Sequence, residues 1–133
     1  VGVKRGLLDT SVLIAAESGR TLALDQMPVE SRVCVITLAE LEAGVLSAGD
    51  TSSRQRRLAT LQTATVLAPL AVTAEVASCW AGLRAHLLQA SRAVPANDLW
   101  IAAIARAHDL PVVTQDSDFD VLAELGLLEV VRV

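Results

Sequence analysis

The chain has 133 residues, with eleven basic and fifteen acidic side chains and a formal net charge of −4. That length suits one compact domain over residues 1–133, with a radius of gyration of roughly 14 Å, and the acidic balance excludes a protein that holds nucleic acid by bulk positive charge. Ala and Leu supply 43 of the 70 apolar residues and aromatic residues only three, which excludes intrinsic disorder and demands an aliphatic, helix-rich core.

Gly6–Leu8 is a short apolar run that stops at Asp9, and Thr10–Glu17 reads as a helix through Val12, Leu13, Ala15 and Ala16. A connector follows with one helical turn near Leu22–Asp25, broken by Pro28. The β-branched run Arg32–Ile36 predicts a second strand, feeding a helix over Leu38–Leu46. Ser52–Val66 and Thr73–Ala90 predict two amphipathic helices, expected to form a hairpin around Pro69. Asp98–Ala107 predicts a helix, Pro111–Thr114 a third strand, Phe119–Leu125 a short helix and Leu128–Val133 a last strand. Strands separated by helices imply an α/β fold with a parallel sheet.

In such a sheet, ligands gather at the carboxyl ends of the strands. Asp9 and Asp116 follow strands, and Glu40 and Asp98 stand in the first turns of helices. Four acids crowded at one edge repel one another, so their pKa values rise or a divalent cation compensates. Hard Mg²⁺ or Mn²⁺ suits oxygen ligands. Setting aside Asp9, Glu40, Asp98, Asp116 and Asp118 leaves ten acids against eleven bases, so the acidity is concentrated there. Arg54, Arg56 and Arg57 are then candidate phosphate contacts.

Each position also has a structural reading. Asp9 fits a helix N-cap, Thr37-x-x-Glu40 fits a capping box, and Asp98 after the capping residue Asn97 fits the positive end of a helix dipole. Asp118 fits the cap of the helix after it, Asp120 a solvated position, and the arginine cluster a solvated face. Trp80 belongs to a core stripe with Val76, Leu83 and Leu87. Asp116–Asp120 alternates like a calcium loop, yet Val121 and Leu127 stand where Gly and Glu are required.

Other chemistries lack their motifs. His86 and His108 have no metal-ligand spacing, and no P-loop, nucleophile elbow or dinucleotide fingerprint is present. A phosphate-handling D-x-D-x-T motif would need Asp where Ser11 stands. Cys34 and Cys79 lie too far apart for a zinc knuckle and are expected as free, buried thiols in a reducing cytoplasm. No run of 18 apolar residues is present, so no transmembrane helix is expected, and no leader pattern opens the sequence.

Four segments, Leu7-Leu8-Asp9-Thr10-Ser11-Val12-Leu13-Ile14, Thr37-Leu38-Ala39-Glu40-Leu41 with Gly44, Asn97-Asp98-Leu99-Trp100-Ile101-Ala102-Ala103 and Val113-Thr114-Gln115-Asp116-Ser117-Asp118-Phe119, resemble the motifs of PIN-domain ribonucleases, VapC-type toxins in particular. The resemblance implies a three-layer fold, a parallel sheet flanked by helices, with Asp9, Glu40, Asp98 and Asp116 as the acidic quartet. It implies Asp118 as a further acid at a second metal position, and Thr10, Ser11, Asn97 and Thr114 as pocket-shaping residues. It implies Mg²⁺- or Mn²⁺-dependent endoribonuclease activity, RNA as substrate, a homodimer, and a small antitoxin that can place a basic side chain in the pocket. The alternative is a catalytically silent α/β module that engages a partner through its apolar helices.

Overall fold

A computed structural model describes residues 2–133. Four strands, β1 (Arg5–Leu8), β2 (Glu30–Arg32), β3 (Val112–Thr114) and β4 (Val130–Arg132), form one sheet in the order β2-β1-β3-β4, parallel throughout. Six α-helices connect or flank them: α1 (Thr10–Ser18), α2 (Val35–Leu46), α3 (Thr51–Thr65), α4 (Ala74–Gln89), α5 (Ala96–Ala107) and α6 (Asp120–Glu124).

Alternation along the strands builds the three layers. Leu7 and Val112 point to one face, where they pack with Val76, Leu83 and Leu87 of α4, Leu99, Ile101 and Ile104 of α5, and Phe119 and Leu122. Leu8 and Val113 point to the other, against Val12 and Leu13 of α1, Leu41 of α2 and Ala64 of α3. Each face of the sheet therefore has its own aliphatic core, as the Ala- and Leu-rich composition requires.

Two expectations need correction. The second strand is Glu30–Arg32 rather than Arg32–Ile36, and α2 already begins at Val35. Pairing with the four-residue β1 ends at Leu7↔Arg32. The chain then turns to a different partner: the Leu70 N–H donates to the Val33 carbonyl at 2.9 Å and the Val35 N–H to the Leu70 carbonyl at 3.0 Å. That bridge also undoes the expected hairpin around Pro69. The segment after α3 crosses beside Cys34, so α3 packs against α2 while α4 packs against α5 on the opposite face.

Gly6 marks the tightest point of the sheet. A Cβ built there would stand 2.6 Å from Val113 Cγ2 and 3.4 Å from Pro28 Cγ, and the buried Val113 side chain has little rotamer freedom to yield. Gly6→Ala should therefore cost about 1–3 kcal/mol, measurable as a lower urea midpoint with an unchanged slope.

Candidate active site

The strand order places a topological switch between β1 and β3, because the connection from β1 leads to β2 on one side and the later chain returns to β3 on the other. A crevice opens at the carboxyl ends of such a pair. Asp9 leaves β1 there, and Thr114, Gln115 and Asp116 leave β3.

Asp9 occupies the N-cap position of α1, yet no side-chain hydrogen bond caps the helix. Its Oδ1 accepts from Ser11 Oγ at 2.5 Å and its Oδ2 from Thr114 Oγ1 at 2.9 Å, so both hydroxyls hold the carboxylate across the crevice. Burial pushes the Asp9 carboxyl up to about 6 against the pull of these two hydroxyls, and the charge of Asp116 pushes it the same way. Thr114→Val would remove a favourable donor and raise the Asp9 pKa by about one further unit. Carboxyl NMR titration of the metal-free protein measures that displacement.

Glu40 does not complete a capping box. Since α2 begins at Val35 with Cys34 as its cap, Thr37 lies inside the helix and is fully buried. Glu40 Oε1 instead accepts from Thr10 Oγ1 at 2.7 Å, and the same Thr10 hydroxyl lies 3.1 Å from Thr37 Oγ1. The first turn of α1 thus orients two acids, Asp9 through Ser11 and Glu40 through Thr10.

α5 begins at Ala96 with Pro95 at its N-cap, so Asn97 is an exposed first-turn residue and not the cap. Asp98, half-buried, makes no hydrogen bond to a described residue. Burial pushes its carboxyl up to about 7, aided by the charges of Asp118, Asp116, Asp9 and Glu40 in that order. All five predicted acids therefore share one electrostatic site. Asp116 Oδ1 lies 3.4 Å from Thr114 Oγ1 and accepts the Asp118 N–H at 3.1 Å, which folds the loop so that Asp118 stands exposed at the rim. Asp118 is not the cap of α6, whose N-cap is Phe119. Asp120 lies outside the site, ion-paired to Arg132 at 2.9 Å.

Gln115 is a residue that the motif reading passed over. Its backbone N–H donates to Ser11 Oγ, while its side-chain amide donates to the Val133 and Thr21 carbonyls at 2.7 and 3.0 Å. Only its position between Thr114 and Asp116 could have signalled this. The three arginines separate. Arg57 donates to the Gly44 carbonyl at 2.7 Å and lines a cleft of about 340 Å³ with Glu40 and Glu17, whereas Arg56 reaches back to Ser52 and Ser53 and Arg54 is exposed.

A PIN domain model matches residues 6–125. The chain belongs to the PIN-domain family. Within it, the chain is 48% identical to Ribonuclease VapC5 of Mycobacterium tuberculosis over 128 residues, covering 96% of this chain and 95% of that one. It is 38% identical to Ribonuclease VapC4 of the same organism, covering 98% of this chain and 100% of the relative. A crystal structure of VapBC-5 from M. tuberculosis, a member of the VapBC family of toxin–antitoxin systems, superposes with a TM-score of 0.90 at 45% identity, covering 98% and 99% of the two chains. The expected PIN-like architecture, a parallel sheet flanked by helices, is thereby established for this PIN domain. All four predicted acidic motifs lie inside the matched residues.

Proposed function

We propose that this PIN domain is a VapC-type endoribonuclease toxin that hydrolyses RNA phosphodiester bonds at the Asp9, Glu40, Asp98 and Asp116 pocket, with Asp118 at its rim. The observation that supports the reading most strongly is the setting of Asp98, half-buried, without a side-chain hydrogen bond to a described residue and within reach of the charges of four other acids, which together with burial raise its pKa. Structural carboxylates gain partners that favour their charge; this one is left to a ligand that must supply positive charge.

The donor set fits a hard divalent cation, Mg²⁺ or Mn²⁺. Every candidate ligand is a carboxylate oxygen. Among the described residues no three side chains already stand as a ligand set for one ion, so the acids would have to draw closer around a cation that keeps several of its waters. Asp9, Asp98 and Asp116 would hold it, with Asp118 completing a second position. When bound, such a cation supplies Lewis-acid polarisation of the phosphate and a water of lowered pKa. The chain's own part is orientation: Ser11 and Thr114 fix Asp9, Thr10 fixes Glu40, and the backbone of Asp118 fixes Asp116. Arg54, Arg56 and Arg57 on α3 supply contacts to the substrate's phosphates.

The reading includes a small antitoxin whose basic side chain neutralises the pocket, and a homodimer, both checked by sizing and co-purification. No described helix is long and apolar enough to cross a membrane, and the free thiols of Cys34, buried, and Cys79, half-buried, suit a reducing cytoplasm. The test is incubation of partner-free protein with total RNA in Mg²⁺, Mn²⁺ or EDTA. Discrete cuts that vanish in EDTA and leave 5′-phosphate ends are expected. Ends bearing 2′,3′-cyclic phosphate would overturn hydrolysis, and no cleavage by folded protein that also fails to bind Mn²⁺ would favour the catalytically silent module.

A further inference from the structure

Two of the three aromatic residues in this chain meet on the far side of α5 from Asp98. Trp80 of α4 and Trp100 of α5 stack with ring centroids 5.1 Å apart and planes inclined by 19°. Both rings are only partly buried, and with Arg84, Val94, Ala96 and Leu99 they line a cleft of about 300 Å³. The sequence places Trp80 in a core stripe; the stripe's Val76, Leu83 and Leu87 are buried, but the indole stands at the cleft wall.

Three features set this cleft apart from a packing defect. Trp80 Nε1 is buried without a hydrogen-bond partner among the described residues, although a buried indole N–H ordinarily finds an acceptor. Arg84 is the single charged residue of the lining, is exposed, and makes no ion pair or hydrogen bond to a described residue. No carboxylate lines the cleft, in contrast to the Glu17 and Glu40 cleft beside α3. The location adds a fourth. Ala96 and Leu99 of the cleft wall bracket Asp98 in sequence, so the cleft and the acidic pocket are separated by about one helix diameter, 10 Å.

We propose that this cleft is a subsite for an unstacked base of single-stranded RNA about two nucleotides from the bond cut in the acidic pocket, an inference that rests on the ribonuclease reading above. The flat indoles supply the stacking surface, which any base can use. Arg84 supplies charge for the adjoining phosphate. The aliphatic lining and lack of acids suit a polyanion whose base is apolar on its faces. A basic peptide meets no anion there, and an acidic one pairs with Arg84 but brings no base to stack on the indoles.

The experiment uses the natural fluorescence of the chain, which has no tyrosine and has both tryptophans at this cleft. The 133-residue protein is titrated with oligouridylate and oligoadenylate eight-mers in EDTA, and cleavage of total RNA in Mn²⁺ is followed in parallel. Saturable quenching is expected, with RNA affinity about tenfold weaker in Trp100→Leu and in Arg84→Gln. Arg84→Gln alters an exposed side chain and carries the test should Trp100→Leu fail to fold. Binding without quenching, or both variants binding RNA as the parent does, would overturn the subsite. So would conversion of a dimer to a monomer by Trp100→Leu with RNA affinity unchanged, which would assign the face to a second copy of the chain. Cleavage without quenching removes the subsite alone, whereas quenching without cleavage keeps it and removes the hydrolytic reading.

Discussion

Asp98→Asn should lower metal-dependent RNA cleavage by about 100-fold or more while leaving the fold intact and raising the melting temperature of the metal-free protein. The two effects share one cause. Asp98 titrates at about 7 in the folded chain, from burial and the four facing acids, against about 3.9 in an unfolded one. Below the unfolded value both states hold the proton, and the folded state suffers no penalty. As pH rises toward 7 the unfolded state ionises while the folded state keeps its proton, so stability falls, and above 7 the folded state carries the full unfavourable charge. Asn removes that charge. Its advantage should therefore be greatest above pH 7 and fade as pH falls toward 4. Because the carboxyl is only half-buried, solvent screens it and the gain is about 1 kcal/mol, or roughly 3 °C in melting temperature. Added Mn²⁺ should reverse the ranking, since a cation that binds only the folded parent stabilises it by mass action. Parental cleavage rates in the variant would refute the assignment of Asp98.

Phe119→Ala should be the most destabilising single replacement near the site, at about 3–5 kcal/mol and a melting temperature lower by roughly 10–15 °C. The chain's one phenylalanine is fully buried beside Leu122 in the core shared by α4 and α5, so truncation to Ala leaves a cavity in close-packed surroundings. Its position gives the loss a functional reach. Phe119 follows Asp118 directly and caps α6, so it anchors the loop in which Asp116 and Asp118 are held together. Phe119→Leu, which keeps most of the volume, should cost less than half as much. Urea denaturation of both variants decides this, and equal stabilities would mean that the ring is not what fills the core.

Much of the architecture was legible in local pattern. The alternation of short β-branched runs with aliphatic helical stripes specified a parallel α/β sheet, and the helices Thr51–Thr65 and Ala74–Gln89 fall within a residue of their predicted bounds. The second strand was misplaced because β-propensity reports how a residue suits a half-buried pleat and not which neighbour it finds. Val33 and Val35 do pair, but with Leu70 across the sheet edge. The same long-range bridge, invisible to any window of sequence, separated α3 from α4.

For the site, the chemistry of the residues and their motif spacing pointed to one acidic edge, and the strand order brings Asp9 and Asp116 to the same crevice. Whether each acid served a cap or a pocket depended on where its helix begins. Starting α2 at Val35 removes the Thr37 box, and starting α5 at Ala96 removes Asn97 as a cap. The amino-acid sequence by itself determined the fold class, which follows from periodicity and residue type, and singled out Asp9, Glu40, Asp98 and Asp116 by their places at strand ends and helix starts, with Asp118 added by its motif. Only the tertiary structure decided what those acids face, how Ser11, Thr114 and Thr10 orient them, and that Trp80 meets Trp100 at an open cleft. Hydrogen bonds and electrostatic coupling act through space between residues more than 100 positions apart, Thr114 and Asp116 on Asp9, a distance over which local pattern has no reach.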